Sequence, residues 1–178
     1  MLTPQAPYFA RNQVLVDPRG RTVCTYDKAH PVPGMDRIAA GDGRVPAVDS
    51  AYGRIANVIY FDADFPDLMR QQAGVDLMLV PSNDWAEMGR VHTEKAALRA
   101  VENGYSLLRS DSHGVSGAFD PLGRSVASAD YFTTGQQTAS VPTRGIRTVY
   151  AAVGDLFTEL CLAGLAALAL AAMLRRSR

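Results

Sequence analysis

The chain has 178 residues, of which 47% are hydrophobic and 20% are charged, and its formal net charge is zero. This composition is ordinary for a folded protein, and the body of the chain has no basic run of the kind that binds nucleic acid. The two cysteines, Cys24 and Cys161, lie far apart and the three histidines are scattered, so the sequence predicts neither a disulfide framework nor a metal site.

Strands and helices are both predicted along the first 132 residues. Strands bounded by turn residues are expected at 13–16, 22–26, 45–48, 55–61, 75–80, 105–109, 114–119 and 125–129. The apolar run at 75–80 is typical of a strand that is buried on both faces. A short helix is expected at 65–73, and a longer one at 92–103 with alanines at helical spacing. The pattern therefore predicts an α/β domain over residues 1–132.

The last quarter of the chain differs in composition from the domain. Residues 133–148 are polar with Gly and Pro, which predicts a linker. Residues 149–178 are predicted to form a transmembrane helix and a basic tail, because 160–174 carry no charge and arginines follow at 175, 176 and 178. Residues 156–174 would make a helix of roughly 28 Å, close to the ~30 Å of a bilayer core. The alternative, a core helix closing a soluble domain, would normally show a polar side.

Three stretches place reactive side chains next to predicted strand ends. Residues 26–33 (YDKAHPVP) put Lys28 before a loop stiffened by prolines. Residues 58–68 (VIYFDADFPDL) predict a buried strand that runs through a sharp turn into a helix, which is how nucleophile elbows present one side chain. Residues 81–85 (PSNDW) follow the apolar strand.

These stretches resemble conserved motifs of the nitrilase, or carbon–nitrogen hydrolase, superfamily. The first is similar to its lysine motif (YxKxHxVP) and the second to its cysteine motif (ICYDxxFP). The third, together with 99–109 and 114–124, resembles the apolipoprotein N-acyltransferase branch. The resemblance implies a nitrilase-type αββα sandwich, present here as the C-terminal part of the domain and followed by one transmembrane helix. A partial sandwich is expected to leave apolar sheet surface exposed.

The resemblance also implies a chemistry without cofactor or metal. In this family a Cys attacks an acyl carbonyl, a Glu is the general base, and a Lys stabilises the oxyanion. The acyltransferase branch moves an acyl chain from a phospholipid to the N-terminal cysteine of a lipoprotein at the bacterial inner membrane. The apolar segment and the arginines that follow it predict a single pass, with the globular part outside the cytoplasm and the C-terminus inside.

Each site position carries over to a residue of this sequence. Lys28 falls on the catalytic lysine and Tyr60 on the nucleophile. Asp36 and Asp62 fall on acidic positions that support the site, and Trp85 is a candidate lid residue. From the residues alone, Lys28 could equally be a solvated lysine and Trp85 a core residue. Asp62, with the neighbouring Asp64, could instead cap the following helix.

Two departures from the family pattern bear on activity. A phenol at Tyr60, with a reference pKa of about 10, is a poor substitute for a thiol near 8.5. The portion of the domain that supplies the general-base Glu is absent. Three hypotheses follow: an impaired acyltransferase-like protein, a non-catalytic membrane-anchored scaffold or acyl-binding module, and an amidase or nitrilase-type hydrolase completed by a separate chain that carries the missing N-terminal half.

Overall fold

The computed structural model of the protein describes residues 12–131 and 135–176. The predicted domain start, residues 1–11, and its limit at 132 lie outside these ranges, as does Arg178. The strands are β1 (Asn12–Val16), β2 (Thr22–Asp27), β3 (Ala47–Ser50), β4 (Gly53–Asn57), β5 (Leu77–Ser82), β6 (Ser106–Asp111), β7 (Ser116–Phe119) and β8 (Ser125–Ala129). The helices are α1 (Pro66–Arg70), α2 (Ala86–Asn103), α3 (Val149–Val153) and α4 (Leu156–Arg176), and a 3₁₀ turn spans Tyr60–Asp64.

Six strands form one mixed sheet in the order β3-β4-β5-β6-β7-β8. The three central strands, β4, β5 and β6, are parallel, and the outer pairs are antiparallel. Parallel neighbours need a crossover connection, which α1 supplies between β4 and β5 and α2 supplies between β5 and β6. The carboxyl ends of β4, β5 and β6 therefore meet at one edge of the sheet.

The two faces of this sheet are covered to different extents. On the helix-covered face Met78, Val80 and Leu107 are fully buried. On the opposite face the neighbouring residues Leu77, Leu79 and Leu108 are only half-buried. The prediction that 75–80 is buried on both faces was wrong, because the β1–β2 hairpin and the described segment 135–142 cover this face only in part.

That hairpin is β1 paired with β2 in antiparallel register. It stacks on the end of β4, where the Asn57 amide donates to Gln13 Oε1 at 3.0 Å and the Cys24 thiol contacts Asn57 Oδ1 at 3.6 Å. The predicted α/β architecture is confirmed, and one sheet face is only half-buried in the described residues.

Three elements differ from the sequence prediction by more than two residues at one end. The strand predicted at 55–61 ends at Asn57, because the backbone turns at Tyr60 (φ +48°) into the 3₁₀ turn. The helix predicted at 65–73 spans only Pro66–Arg70 and continues as turns. The longer helix begins at Ala86 rather than His92. Its first turns contain Gly89, a weak helix former. A glycine is needed at this position because a Cβ there would collide with the Gly114 backbone.

The segment before the terminal helices is attached to the domain. Ser106 Oγ donates to the Pro142 carbonyl at 2.7 Å, and the Gly145 amide donates to Asp76 Oδ1 at 2.8 Å. The Ile146 amide donates to the Gly104 carbonyl at 2.6 Å. The division into a domain, a linker at 133–148 and a membrane segment stays a prediction.

Helix α4 projects from the domain. Over the described residues it is the one helix long and apolar enough to cross a membrane, with a mean hydropathy of 2.0, and none of its residues is buried. Arg175 and Arg176 lie in its last turn.

Candidate active site

Tyr60 lies at the sharp turn that the sequence predicts, just beyond the carboxyl end of β4. Its φ of +48° is in the left-handed region, which costs an aromatic residue roughly 1–2 kcal/mol. Its ring nevertheless is buried, with 4% of the residue exposed. The turn thus presents a side chain at the sheet edge as a nucleophile elbow does, but it points the ring into the protein interior.

Lys28 and Asp36 form a buried ion pair beside this ring. Lys28 Nζ lies 2.5 Å from Asp36 Oδ2 and 4.9 Å from the centroid of the Tyr60 ring. The same carboxylate oxygen accepts the Val32 amide at 2.8 Å, which holds the loop after β2 in place. Because Lys28 is only 2% exposed, the interpretation as a solvated lysine is wrong. The structure brings Lys28, Asp36 and Tyr60 together.

Asp62 organises the loop that follows Lys28. Its carboxylate accepts the Tyr26 hydroxyl at 2.8 Å and the His30 amide at 2.7 Å, and a weaker bond comes from the Ala29 amide at 3.3 Å. Burial, followed by the charge of Asp62, raises the pKa of Tyr26, so this tyrosine stays a neutral donor. Asp62 therefore holds the loop that follows Lys28, and its role as a site-support residue stays a prediction.

The alternative role of Asp62 and Asp64 as helix caps is not observed. The residue at the N-cap of α1 is Phe65, and no side chain caps that helix. Asp64 instead binds Lys95 of α2 at 2.7 Å. Both carboxylates are engaged in tertiary contacts, which sequence spacing could not distinguish from local capping.

A second buried group, which we call the Asp84 cluster, consists of Asp84, His92, Arg109 and Asp111. Asp84 Oδ1 lies 2.6 Å from His92 Nδ1, and Asp84 Oδ2 accepts Arg109 Nη2 at 2.7 Å. Arg109 also reaches Asp111 at 3.3 Å. The cluster sits under the Tyr60 ring, whose centroid is 5.4 Å from the His92 ring and 5.9 Å from Arg109 Cζ.

The charges in the Asp84 cluster determine which groups ionise. Burial alone would raise the pKa of Asp84, but hydrogen bonds from His92 and Asp111 and the charge of Arg109 outweigh burial and lower it. Burial raises the pKa of Asp111, and Asp84 raises it further. Burial and the Asp84 carboxylate likewise raise the pKa of Tyr60. The phenolate form of Tyr60 is therefore disfavoured at neutral pH.

Trp85 lies at the start of α2, half-buried against the hydrophobic core. Its ring is 6.2 Å from the His92 ring in an edge-on arrangement. The structure thus places Trp85 beside the Asp84 cluster, in a position that suits core packing. A role as a lid residue stays a prediction.

Sequence reasoning did not single out the Asp84 cluster. Asp84 and Arg109 fall within stretches that resemble the acyltransferase branch, and His92 was interpreted as part of a structural helix. The available signal was positional: Asp84 follows the end of β5 and Asp111 ends β6, and carboxyl ends of adjacent parallel strands are where sites form. Pairing these residues across strands requires the tertiary structure.

No thiol is present at the nucleophile position. Cys24 lies in β2 against Asn57, and Cys161 lies in α4. What the site offers chemically is a buried ammonium group on Lys28 and a neutral phenol on Tyr60. An ammonium group can stabilise an oxyanion, but it cannot start acyl transfer without a nucleophile.

Comparison with known proteins agrees with this geometry. The family model described as carbon–nitrogen hydrolase matches residues 3–151. An apolipoprotein N-acyltransferase from Shewanella oneidensis is 32% identical over 81% of this chain, and one from Geobacter metallireducens is 28% identical over 95% of it. The chain spans only 28% and 37% of the lengths of these two relatives.

Solved structures show the same fold. An amidase from Nesterenkonia sp. superposes with a TM-score of 0.63 at 22% sequence identity, covering 67% of this chain and 51% of the amidase. The match thus extends over about half of a nitrilase-type domain. Since the family model covers most of the sequence and the fold agrees, the chain belongs to the carbon–nitrogen hydrolase family, with apolipoprotein N-acyltransferases among its relatives.

Proposed function

We propose that this chain is an apolipoprotein N-acyltransferase-like domain whose own catalysis is blocked at the nucleophile. The observation that supports the proposal is the position of Tyr60: its buried ring lies 4.9 Å from Lys28 Nζ, where the family reaction needs a thiol. Two relatives, 32% and 28% identical to this chain, are named apolipoprotein N-acyltransferase. The substrates of the family reaction would be a phospholipid acyl donor and a lipoprotein N-terminus.

The first chemical step explains the block. Attack on an acyl ester needs an ionised or base-activated nucleophile close to the oxyanion donor. The pKa of Tyr60 is raised by burial, so its phenol holds its proton. Lys28 is 2% exposed and pairs with Asp36, so an acyl carbonyl does not reach its ammonium group in this conformation. Both the nucleophile and the oxyanion-stabilising group of this step are therefore impaired.

Acyl transfer to the protein itself tests this proposal. The full chain would be reconstituted in phospholipid vesicles, incubated, digested and analysed by mass spectrometry for acyl groups on Tyr60. We expect no acyl adduct on Tyr60. The Shewanella oneidensis relative, treated in the same vesicles, serves as the positive control for acyl transfer. A covalent acyl group on Tyr60 would show that the tyrosine is a genuine nucleophile and would overturn the proposal.

A second candidate function is that of a half-domain completed by another chain. The observation that favours it is the sheet face around Leu77, Leu79 and Leu108, which is apolar but only half-buried. In a two-layer sandwich such a face is covered by a second sheet. A separate chain bearing the missing strands and the general-base Glu would cover this face.

We also propose that the chain is anchored in the bacterial inner membrane by α4, with the domain outside the cytoplasm. Helix α4 has 21 residues, or about 31 Å at ~1.5 Å per residue, which matches a bilayer core. Its terminal arginines favour a cytoplasmic C-terminus.

A further inference from the structure

Helix α3 is attached to the domain along one side. Thr148 caps the helix by accepting the Ala151 amide at 3.0 Å, and its hydroxyl donates to the Glu102 carbonyl at the end of α2. Tyr150, half-buried, donates to Asp155 at 3.3 Å. These contacts fix the orientation of α3 relative to the domain.

The other side of α3 is apolar and uncovered. Val149 is 80% exposed and Val153 is 46% exposed, and residues four apart lie on one side of a helix. Ile146, directly before the helix, is 43% exposed. None of the five residues of α3 is buried. We call Val149 and Val153 the valine face.

The valine face is held close to the start of α4. Only Gly154 and Asp155 separate the two helices, so Val153 lies within about 11 Å of Leu156 along even a fully extended chain. Gly154 has a φ of +59°, and a Cβ there would collide with the Arg70 guanidinium. The positive φ favours glycine at this turn, and the Arg70 guanidinium packs against it.

Charges on the neighbouring residues suit a lipid surface. Arg144 and Arg147 are exposed just before α3, where each guanidinium can pair with a lipid phosphate. Two acidic residues follow α3. Asp155 accepts a hydrogen bond from the Tyr150 hydroxyl, and Glu159 lies in the first turn of α4. A helix with an apolar side at this level resembles segments that lie in the interface plane of a membrane.

We propose that the valine face rests in the headgroup region of the bilayer that α4 crosses, so that α3 forms an interfacial foot for the domain. The inference rests on the proposed membrane insertion of α4. Its partner is the phospholipid surface: the apolar valines enter the boundary between headgroups and acyl chains, and the arginines contact phosphates. Each polar headgroup layer is about 5–8 Å thick, which is less than the ~10–12 Å diameter of a helix, so the valine face would reach the acyl boundary while the opposite side of α3 stays above the headgroups.

Depth-dependent fluorescence quenching tests this placement. The full chain with Trp85→Phe would carry one new tryptophan at a time, Val149→Trp, Val153→Trp, Leu168→Trp or Leu98→Trp, in phospholipid vesicles brominated at shallow or deep acyl positions. Leu168 lies within α4, and Leu98 is a half-exposed residue on α2 and serves as the control. We expect Leu168→Trp to lose emission to deep bromines, and Val149→Trp and Val153→Trp to lose more emission to shallow than to deep bromines.

The outcomes separate the two proposals. One outcome would overturn the interfacial foot and leave the membrane span standing. In it, Leu168→Trp is quenched, but the quenching of Val149→Trp and Val153→Trp equals that of Leu98→Trp. Absence of quenching at Leu168→Trp would overturn both. The two valine positions serve as independent probes, so that one poorly folded variant does not decide the result.

Discussion

The ring of Tyr60 lies between two buried cations, Lys28 at 4.9 Å and Arg109 at 5.9 Å from its centroid. Cation–π contacts of this kind contribute about 0.5–2 kcal/mol when desolvated. The aromatic face therefore compensates in part for the left-handed backbone at this residue and for two charges removed from water. At the scale of single residues, the Tyr60 ring packs against the two cations and stabilises them.

The hydroxyl of Tyr60 contributes less than its ring. Among the described residues it has no hydrogen-bond partner although it is buried. Because an unsatisfied buried hydroxyl costs about 1–3 kcal/mol, Tyr60→Phe is expected to leave the free energy of unfolding unchanged or to raise it by about 1 kcal/mol. Thermal unfolding in a fixed detergent would measure this. Tyr26→Phe is the matched control, since its hydroxyl binds Asp62 and its loss should destabilise the chain; equal losses in both variants would contradict the prediction.

At the scale of elements, Asp84 joins two of them, α2 and β6. It precedes α2, binds His92 within that helix, and pairs with Arg109 of β6. Both side chains of the Asp84–Arg109 pair are fully buried. Removing one partner of such a pair leaves the other charge buried without compensation, which typically costs about 3–5 kcal/mol.

Asp84→Asn is accordingly expected to lower the free energy of unfolding by about 3–5 kcal/mol, as measured by urea denaturation. Lys95→Gln is the control on the same helix: its Nζ pairs with Asp64, but the lysine is 45% exposed, and exposed pairs contribute at most about 1 kcal/mol. An equal decrease in the free energy of unfolding for both variants would contradict the prediction that the buried Asp84–Arg109 pair stabilises the contact between α2 and the sheet.

Helix α4 predicts a topology that labelling can check. In a background of Cys24→Ser and Cys161→Ser, a cysteine introduced by Glu94→Cys on the exposed side of α2 should react with a membrane-impermeant thiol reagent on intact spheroplasts. Ser177→Cys, next to the terminal arginines, should react only after lysis. The reverse pattern would show that the domain is cytoplasmic.

At the scale of the whole molecule, the chain is one part of a two-layer fold. Since nucleophile and base act as a unit, restoring only one gives little catalysis. Tyr60→Cys alone is therefore expected to remain inactive in phospholipid-to-lipoprotein acyl transfer. Tyr60→Cys co-expressed with the N-terminal portion of the Shewanella oneidensis relative is expected to form the acyl-thioester that mass spectrometry detects. Co-expression with the unmodified chain is the control, and an active Tyr60→Cys chain without the added portion would contradict this view.

Much of the fold and part of the site were predictable from sequence. The α/β architecture, the family and the positions of Lys28, Asp36 and Tyr60 follow from local motifs, because turns, prolines and strand ends are encoded over a few residues. The apolar terminal helix is likewise a property of a continuous segment. The start of α2 at Ala86 was missed, because Gly89 is placed there by contact with a distant glycine rather than by helix propensity.

The order of the elements, the tyrosine at position 60 of the cysteine-like motif and the apolar span can be read from the chain alone. Only the tertiary structure decided that Lys28 is buried against Tyr60, that Asp62 holds the Lys28 loop rather than capping a helix, and that Asp84, His92 and Arg109 form one cluster. The difference arises from the separation along the chain of the residues that interact. Motifs and periodicity report interactions between neighbours in the chain, whereas burial and ion pairing depend on which strand ends the sheet brings to the same edge.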